Sequence, residues 1–187
     1  ASMSCTGKGT ITNMGAELGA TTSIFAYDKS MSAFLASTER SDLAALADNN
    51  LDLVTPDEEC LTNPEKYYDE VIEIDLSTLE PHIVGPHSPD LARPISKLKE
   101  DAAKENYSLP ITAALVGSCT NSSYEDLSRA ADVAQQALDA GLKTQSDLKV
   151  SPGSEQIYET VRRDGQLDKL EKLGATVFTN SCGPCIG

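Results

Sequence analysis

The sequence predicts an α/β fold, a parallel sheet with flanking helices, spread over two partial domains. From residue 95 onward, short apolar segments alternate with helix-like segments, and most of the apolar segments end in a loop rich in Gly, Ser, Thr, Asn or Pro. Such alternation favours parallel strands joined by right-handed crossovers. A Pro-rich stretch, 81–94, separates this half from the first one. That stretch is the candidate domain boundary.

Composition limits the function classes. With 187 residues, 40% hydrophobic and 24% charged, the chain can bury a core in one ample domain or two small ones. The net charge of −14 argues against a nucleic-acid partner, because phosphate binding needs Lys/Arg patches. The sequence contains neither a membrane-spanning run nor a signal peptide, so no membrane partner is expected. The start at Ala1 and the stop two residues after Cys185 suggest an excised piece of a larger protein.

The first half has weak patterns. Residues 1–25 are rich in Gly, Thr and Ser, which favours tight turns, with one short helix at 14–18. An apolar strand or turn is expected over 24–27, and short helices are expected over 30–35 and 41–49. Residues 50–69 are expected to form a polar, acidic loop. Residues 71–76 alternate apolar and acidic side chains, which predicts a half-buried strand.

The stretch 81–94 contains four prolines, which excludes a helix or a central strand. We interpret it as an extended connector. Both histidines, His82 and His87, lie in it. A solvated or packed role is favoured for them over metal binding.

The second half repeats strand, loop and helix. Helices are predicted over 95–106, 123–140, 154–163 and 167–173, and strands over 111–116, 148–150 and 175–179. Ligands of parallel sheets bind outside the carboxyl ends of the strands. The loops that contain Cys119 and the pair Cys182 and Cys185 should therefore meet at one sheet edge.

Five cysteines, an odd number, fit a reducing compartment in which thiols serve metals or chemistry. Cys5 and Cys60 are interpreted as small buried hydrophobes. For the other three, several alternatives stay open: plain thiols, a thioredoxin-type redox pair, a structural zinc site, or an iron–sulfur centre. A cubane held by three cysteines would leave one iron open as a Lewis acid.

Four segments resemble the aconitase family in order and spacing. They begin at Asn13 (Asn-Met-Gly-Ala-Glu-Leu-Gly-Ala-Thr-Thr-Ser), Gly117 (Gly-Ser-Cys-Thr-Asn-Ser), Ser151 (Ser-Pro-Gly-Ser-Glu-Gln) and Ser181 (Ser-Cys-Gly-Pro-Cys-Ile-Gly). The resemblance covers essentially the whole chain and is strongest to the mitochondrial-type enzymes. It implies a three-layer α/β architecture and a hydro-lyase of the tricarboxylic acid cycle. That enzyme interconverts citrate and isocitrate through cis-aconitate in the mitochondrial matrix or bacterial cytoplasm.

The resemblance also implies a cofactor and residue roles. Cys119, Cys182 and Cys185 would bind a [4Fe–4S] cluster in which one iron has no protein ligand. Asn13 and Glu17 would line the cluster side of the active site. The partners implied are citrate, isocitrate and cis-aconitate, together with the remaining aconitase domains.

The family has four domains, and the resemblance divides this chain between two of them. Residues 1–80 would be the C-terminal part of one α/β domain, 81–94 the connector, and 95–187 a truncated cluster-ligand domain. The family's Asp-His segment would precede this chain, while its substrate-binding arginines and serine base would follow it. The chain alone is therefore expected to be inactive, and the cluster to be easily lost from it.

Two departures from the family pattern stand away from the predicted chemistry. Residues 59–64 look like a surface insertion, and Ala26 replaces a usual proline.

Three alternatives remain beside aconitase: isopropylmalate isomerase or homoaconitase, an iron-sensing RNA-binding relative, and a structural zinc module. The net charge of −14 opposes the RNA-binding alternative.

Overall fold

A computed structural model describes residues 3–108 and 110–182, so Cys185 lies outside the described residues. The helices are α1 Cys5–Glu17, α2 Lys29–Ser37, α3 Ser41–Asp48, α4 Leu51–Val54, α5 Glu58–Thr62, α6 Leu98–Glu105, α7 Tyr124–Asp139, α8 Glu155–Arg163 and α9 Gln166–Leu173. The strands are β1 His82–Val84, β2 Ala92–Pro94, β3 Ala113–Gly117, β4 Asp147–Ser151 and β5 Ala175–Val177. Short 3-10 helices cover Pro64–Lys66 and Ile95–Lys97.

The chain divides into two compact units. One comprises the described residues of Ala1–Pro56 and Thr112–Gly187, and the other is Asp57–Ile111. The boundaries expected from the sequence, 1–80, 81–94 and 95–187, stay a prediction. The first unit contains all the described residues to which the sequence assigned chemistry.

The predicted parallel sheet is confirmed. Strands β3, β4 and β5 lie side by side in that order, and both pairs are parallel. The register aligns Gly117 with Ser151 and Val150 with Val177, so the carboxyl ends of all three strands reach one edge. The α/β fold class follows from this sheet and the helices that pack on it.

The core of the first unit lies between the sheet and helices α7, α8 and α9. Its most buried members are aliphatic: Leu127, Ala131, Ala134, Val150, Val161, Leu167 and Leu170. Helix α7 begins with a capping box, in which the Ser123 side chain accepts from the Asp126 amide and the Asp126 side chain accepts from the Ser123 amide. The C-terminal cap of α9 is Gly174, at φ 118°. These elements match the predicted helices and strands within a few residues.

Helix α1 corrects the sequence prediction of turns and a short helix at 14–18. It runs over thirteen residues, Cys5–Glu17, although Gly and Thr are poor helix formers. The Ser4 side chain caps its first turn by accepting from the Gly7 amide at 3.1 Å. Contacts to other elements, described below for Lys8, Thr6 and Asn13, stabilise it, so tertiary packing overrides local propensity.

The region that follows holds two more corrections. Residues 24–27 form neither a strand nor a turn, and 50–69 contain α4, α5 and a 3-10 helix rather than only a loop. The helices predicted at 30–35 and 41–49 are confirmed as α2 and α3.

In the second unit, the strand predicted at 71–76 is wrong. Ile72, Ile74 and Leu76 are 74%, 63% and 63% exposed, and no backbone ladder includes them in the part of the chain described. The connector at 81–94 is also more ordered than expected. Its ends pair as antiparallel strands β1 and β2, with His82 opposite Pro94.

The buried side chain of Arg93 connects three segments of the second unit. Its guanidinium donates to the Gly85 carbonyl at 3.0 Å, lies 3.5 Å from Asp101 and stacks over the Tyr107 ring. His82 and His87 are exposed. Across the described residues, no helix has the length and apolar character needed to cross a membrane.

Candidate functional site

The candidate site lies at the carboxyl edge of the three-stranded sheet. Cys119 follows β3 by two residues, and Cys182 follows β5 by five residues. Both side chains are exposed. Neighbouring strands lie about 4.8 Å apart, so β3 and β5, with β4 between them, are about 10 Å apart. That spacing lets residues beyond the two strand ends face a shared ligand.

Two glycines let the loops at this edge approach closely. A Cβ atom on Gly117, where φ is 124°, would lie 1.9 Å from the Ser151 carbonyl oxygen. A Cβ atom on Gly153 would lie 2.5 Å from Ser122 Oγ. Backbone hydrogen bonds use this space, from Ser118 to Ser151 at 3.0 Å and from Gly153 to Ser122 at 3.2 Å. The loop that contains Cys119 is therefore fixed against the end of β4.

The segment that leads to Cys182 is fixed as well. The Phe178 amide donates to the Val150 carbonyl at 2.8 Å, and the buried Ser151 hydroxyl donates to the Thr179 carbonyl at 3.2 Å. The Asn180 side chain donates to Glu155 at 3.4 Å. The end of β4 thus holds both cysteine-bearing segments.

Helix α1 brings Asn13 and Glu17 to Cys119. The Cys119 thiol donates to Glu17 Oε1, with Sγ and Oε1 separated by 3.6 Å. Asn13 Nδ2 donates to the same Glu17 oxygen at 3.1 Å and to Thr120 Oγ1 at 2.7 Å. Thr120 Oγ1 lies 3.5 Å from Cys119 Sγ. These four side chains, Asn13, Glu17, Cys119 and Thr120, form a closed ring of contacts, which we call the polar ring.

The first turns of α1 are anchored to the same loop and to α7. The Thr6 hydroxyl donates to Glu125 Oε2 at 2.8 Å, and the Thr10 hydroxyl lies 3.4 Å from the Thr120 carbonyl. Hydrogen bonds from Ser4 and Thr6 hold the pKa of Glu125 below its usual range. Glu125 is therefore a carboxylate at neutral pH and links the N-terminal ends of α1 and α7.

A cleft of about 1460 Å³ opens beside the polar ring, between α1, α2 and the strand-end loops. Asn13, Cys119 and Thr120 line it, and so do two guanidinium groups. Arg40 already donates to Thr38 at 2.8 Å, and Arg163 contacts Asp164 through two nitrogens at 2.7 and 3.1 Å. Both guanidiniums of the cleft thus have local partners.

Among the sequence-predicted residues, the structure brings Glu17 into contact with both Cys119 and Asn13, and it places Cys182 at the same sheet edge. Cys185 lies outside the described residues. Within 3–108 and 110–182, no group of three His, Cys, Asp or Glu side chains is arranged to hold a metal ion. Cys5 and Cys60 are half-buried. Burial raises the pKa of the Cys5 thiol, in keeping with a packed, unreactive role.

The sequence analysis missed two threonines of the site, Thr120 and Thr10. Thr120 completes the polar ring, and Thr10 links α1 to the loop backbone. The available signal was the run of hydroxyl and amide side chains around Cys119. Without knowing that α1 packs on this loop, the run gave no reason to single out either threonine.

Comparisons with known proteins identify the family of the chain. A sequence model of the Aconitase family (aconitate hydratase) matches residues 1–187. The mitochondrial aconitate hydratase of Schizosaccharomyces pombe is 54% identical over 186 residues, which cover 100% of this chain and 23% of that protein. The mitochondrial enzymes of Gracilaria gracilis and Saccharomyces cerevisiae are 52% and 51% identical, with 100% and 98% of this chain covered. The chain spans 23% of the length of each of these relatives.

Proposed function

Because the chain belongs to the aconitase family, we propose that it forms the cluster-binding part of an aconitate hydratase. That enzyme is a hydro-lyase that interconverts citrate and isocitrate through cis-aconitate. The observation that carries the proposal is the polar ring, in which Glu17 of α1 contacts Cys119 at the carboxyl edge of the sheet and Asn13 bonds to Glu17 and Thr120.

The donor set fits an iron–sulfur cluster. Cys119 and Cys182 are exposed thiol side chains at one sheet edge, and the motif that follows adds Cys185. Soft sulfur ligands of this kind select iron–sulfur clusters, copper(I) or zinc. Among these, membership of the aconitase family favours an iron–sulfur cluster, so we infer that Cys119, Cys182 and Cys185 hold a [4Fe–4S] cluster. When bound, the cluster supplies a Lewis-acidic iron with an open position, which polarises a hydroxyl leaving group.

Asn13 and Glu17 of α1 are proposed to orient water or substrate beside the cluster. Glu17 Oε1 accepts a hydrogen bond from Asn13 Nδ2, which does not depend on the Cys119 proton, and it accepts from Cys119 while that residue is a thiol. The bond from Asn13 therefore keeps the carboxylate beside the Cys119 loop when the sulfur is a ligand. A carboxylate placed there accepts a hydrogen bond from water or from a substrate hydroxyl. Asn13 fixes its orientation, which lowers the entropy lost when the group acts.

The described residues do not supply a full substrate site. A tricarboxylate needs cationic clamps, and Arg40 and Arg163 of the cleft are already engaged with Thr38 and Asp164. We propose that the base and the clamps come from the rest of the polypeptide. Residues 1–187 alone then do not turn over citrate.

The same reasoning gives the location. The relatives compared are named as mitochondrial enzymes. We propose a mitochondrial matrix location, in keeping with an odd number of cysteines, three of which are proposed to bind a metal cluster rather than to form disulfides.

The test is anaerobic reconstitution of the complete polypeptide with iron and sulfide. We expect about four irons and four sulfides per chain, as a [4Fe–4S] cluster requires, and conversion of citrate to isocitrate. Cys185→Ser should abolish cluster and activity together, because it removes one of three ligands. The matched control is Cys60→Ser in the other unit, which should retain both. Stoichiometric zinc without sulfide, or full activity of Cys185→Ser, contradicts the proposal.

A further inference from the structure

The polar ring contains one member to which the sequence assigned no role, Thr120. It follows Cys119 directly in the chain, and its side chain is half-buried. Its hydroxyl oxygen lies 2.7 Å from Asn13 Nδ2 and 3.5 Å from Cys119 Sγ. One hydroxyl therefore contacts both the amide of α1 and the sulfur of the loop.

The geometry assigns directions to these hydrogen bonds. An amide nitrogen has two hydrogens, so Asn13 Nδ2 can donate to Glu17 and Thr120 at the same time. Because Thr120 Oγ1 accepts from Asn13, its own hydrogen is available to another acceptor. A metal-bound cysteine sulfur has no hydrogen to donate and accepts instead. The Thr120 hydroxyl is placed to donate to it.

We propose that Thr120 is a positioning residue for the cluster side of the site: it accepts from Asn13 and donates to the ligand sulfur of Cys119. Through Asn13 it also sets the place of the Glu17 carboxylate. Hydrogen bonds to ligand sulfurs tune the potential of iron–sulfur centres, and groups that orient metal ligands support affinity and activity. The inference rests on the proposed function, because it requires a cluster at Cys119.

Thr10 provides a matched control. It connects the same two segments, with its hydroxyl 3.4 Å from the Thr120 carbonyl and 3.5 Å from Asn121 Nδ2. These contacts involve the loop backbone and a neighbouring amide, and the polar ring does not include them. Thr10→Val therefore removes a link between α1 and the loop without changing the ring's own hydrogen bonds.

The experiment compares Thr120→Val, Thr120→Ser and Thr10→Val in the complete, anaerobically reconstituted polypeptide. Valine keeps the branched shape and removes the hydroxyl, while serine keeps the hydroxyl. We expect Thr120→Val to shift the reduction potential and the electron paramagnetic resonance spectrum of the cluster and to lose iron faster to a chelator. Its kcat should fall about 10–100-fold, the range for residues that orient metal ligands. Serine should restore the spectrum and most of the rate.

The outcomes separate the two proposals. If the parent protein binds no iron and sulfide, the proposed function fails. If the parent binds the cluster and Thr120→Val matches it in spectrum, potential and iron loss, only the role of Thr120 fails. The role also fails if Thr10→Val changes the spectrum as much, or if serine does not restore it. If Thr120→Val does not fold, Thr120→Ala is compared with Thr120→Ser by spectrum, reduction potential and iron loss. The role of Thr120 then fails if these two variants behave alike.

Discussion

At the residue scale, Lys8 and Asp28 form the most buried ion pair described. Lys8 is 5% exposed, and its ammonium lies 2.5 Å from the Asp28 carboxylate and 3.1 Å from Ser30 Oγ. Asp28 is also the N-cap of α2, where it accepts from the Ser30 and Met31 amides. The pair thus fixes α1 to the start of α2, and α1 carries Asn13 and Glu17.

Asp28 predicts a pH dependence of stability. The hydrogen bond from Lys8, followed by that from Ser30, holds the pKa of Asp28 well below its usual value. A carboxylate with a lowered folded-state pKa stabilises the fold above the unfolded pKa of about 3.9, and this contribution is lost as the pH falls toward the folded value. Asp28→Asn should lower the free energy of unfolding at pH 7, because Lys8 is left without its carboxylate. Asp28→Asn should also make the free energy of unfolding fall less steeply as the pH is lowered, because the variant has no carboxylate to protonate at this position. Urea unfolding at several pH values measures both effects.

The control for this prediction is Asp132→Asn on the exposed surface of α7. Asparagine is as good an N-cap as aspartate, so the α2 cap survives the Asp28 change and the charge alone is removed. Equal unfolding curves for Asp28→Asn and the parent protein at pH 7 would show that the ion pair contributes nothing.

At the element scale, α7 depends on one buried face. Leu127 is fully buried against the sheet and its helices, while Val133 on the same helix is 66% exposed. Leu127→Ala should reduce the free energy of unfolding by about 2–5 kcal/mol, because it removes buried methyl groups and leaves a cavity. Val133→Ala should change it by no more than about 0.5 kcal/mol. Chemical unfolding of both variants tests the difference, and equal losses would contradict the assigned face.

The elements also show where sequence patterns succeed and fail. Helix α7 was predictable because its apolar residues recur at helical spacing and its capping residues are local. Helix α1 was not, because Lys8, Thr6 and Asn13 find their partners in other elements. The alternation at 71–76 predicted a strand, yet a strand needs a neighbouring backbone, and these residues remain exposed.

For the candidate site, the pattern of three strands ending in functional loops placed Cys119 and Cys182 at one edge. The prediction that Asn13 and Glu17 line the cluster side of the site had a different source, since it followed from the family resemblance and not from periodicity. Thr120 was missed because its role depends on a helix more than a hundred residues earlier in the chain.

At the scale of the whole molecule, the chain carries the polar ring but covers 23% of the length of its relatives. The cleft beside the ring is lined by Arg40 and Arg163, both with partners of their own. The rate of a hydro-lyase depends on a positioned base and on clamps that hold the substrate carboxylates. On the proposed function, residues 1–187 hold the cluster ligands while the base and clamps come from the rest of the polypeptide, so we expect these residues to bind the cofactor but not to catalyse the reaction.

We therefore expect residues 1–187, reconstituted anaerobically, to show no measurable conversion of citrate to isocitrate at an iron content that supports full turnover in the complete polypeptide. The measurement follows formation of cis-aconitate and isocitrate, with iron and sulfide determined on the same samples. Iron binding by the short chain that depends on Cys119, tested with Cys119→Ser, would show that the ligands act without the remaining domains. Turnover by the short chain would instead contradict the proposal that the base and the substrate clamps come from the rest of the polypeptide, because it would place them within these 187 residues.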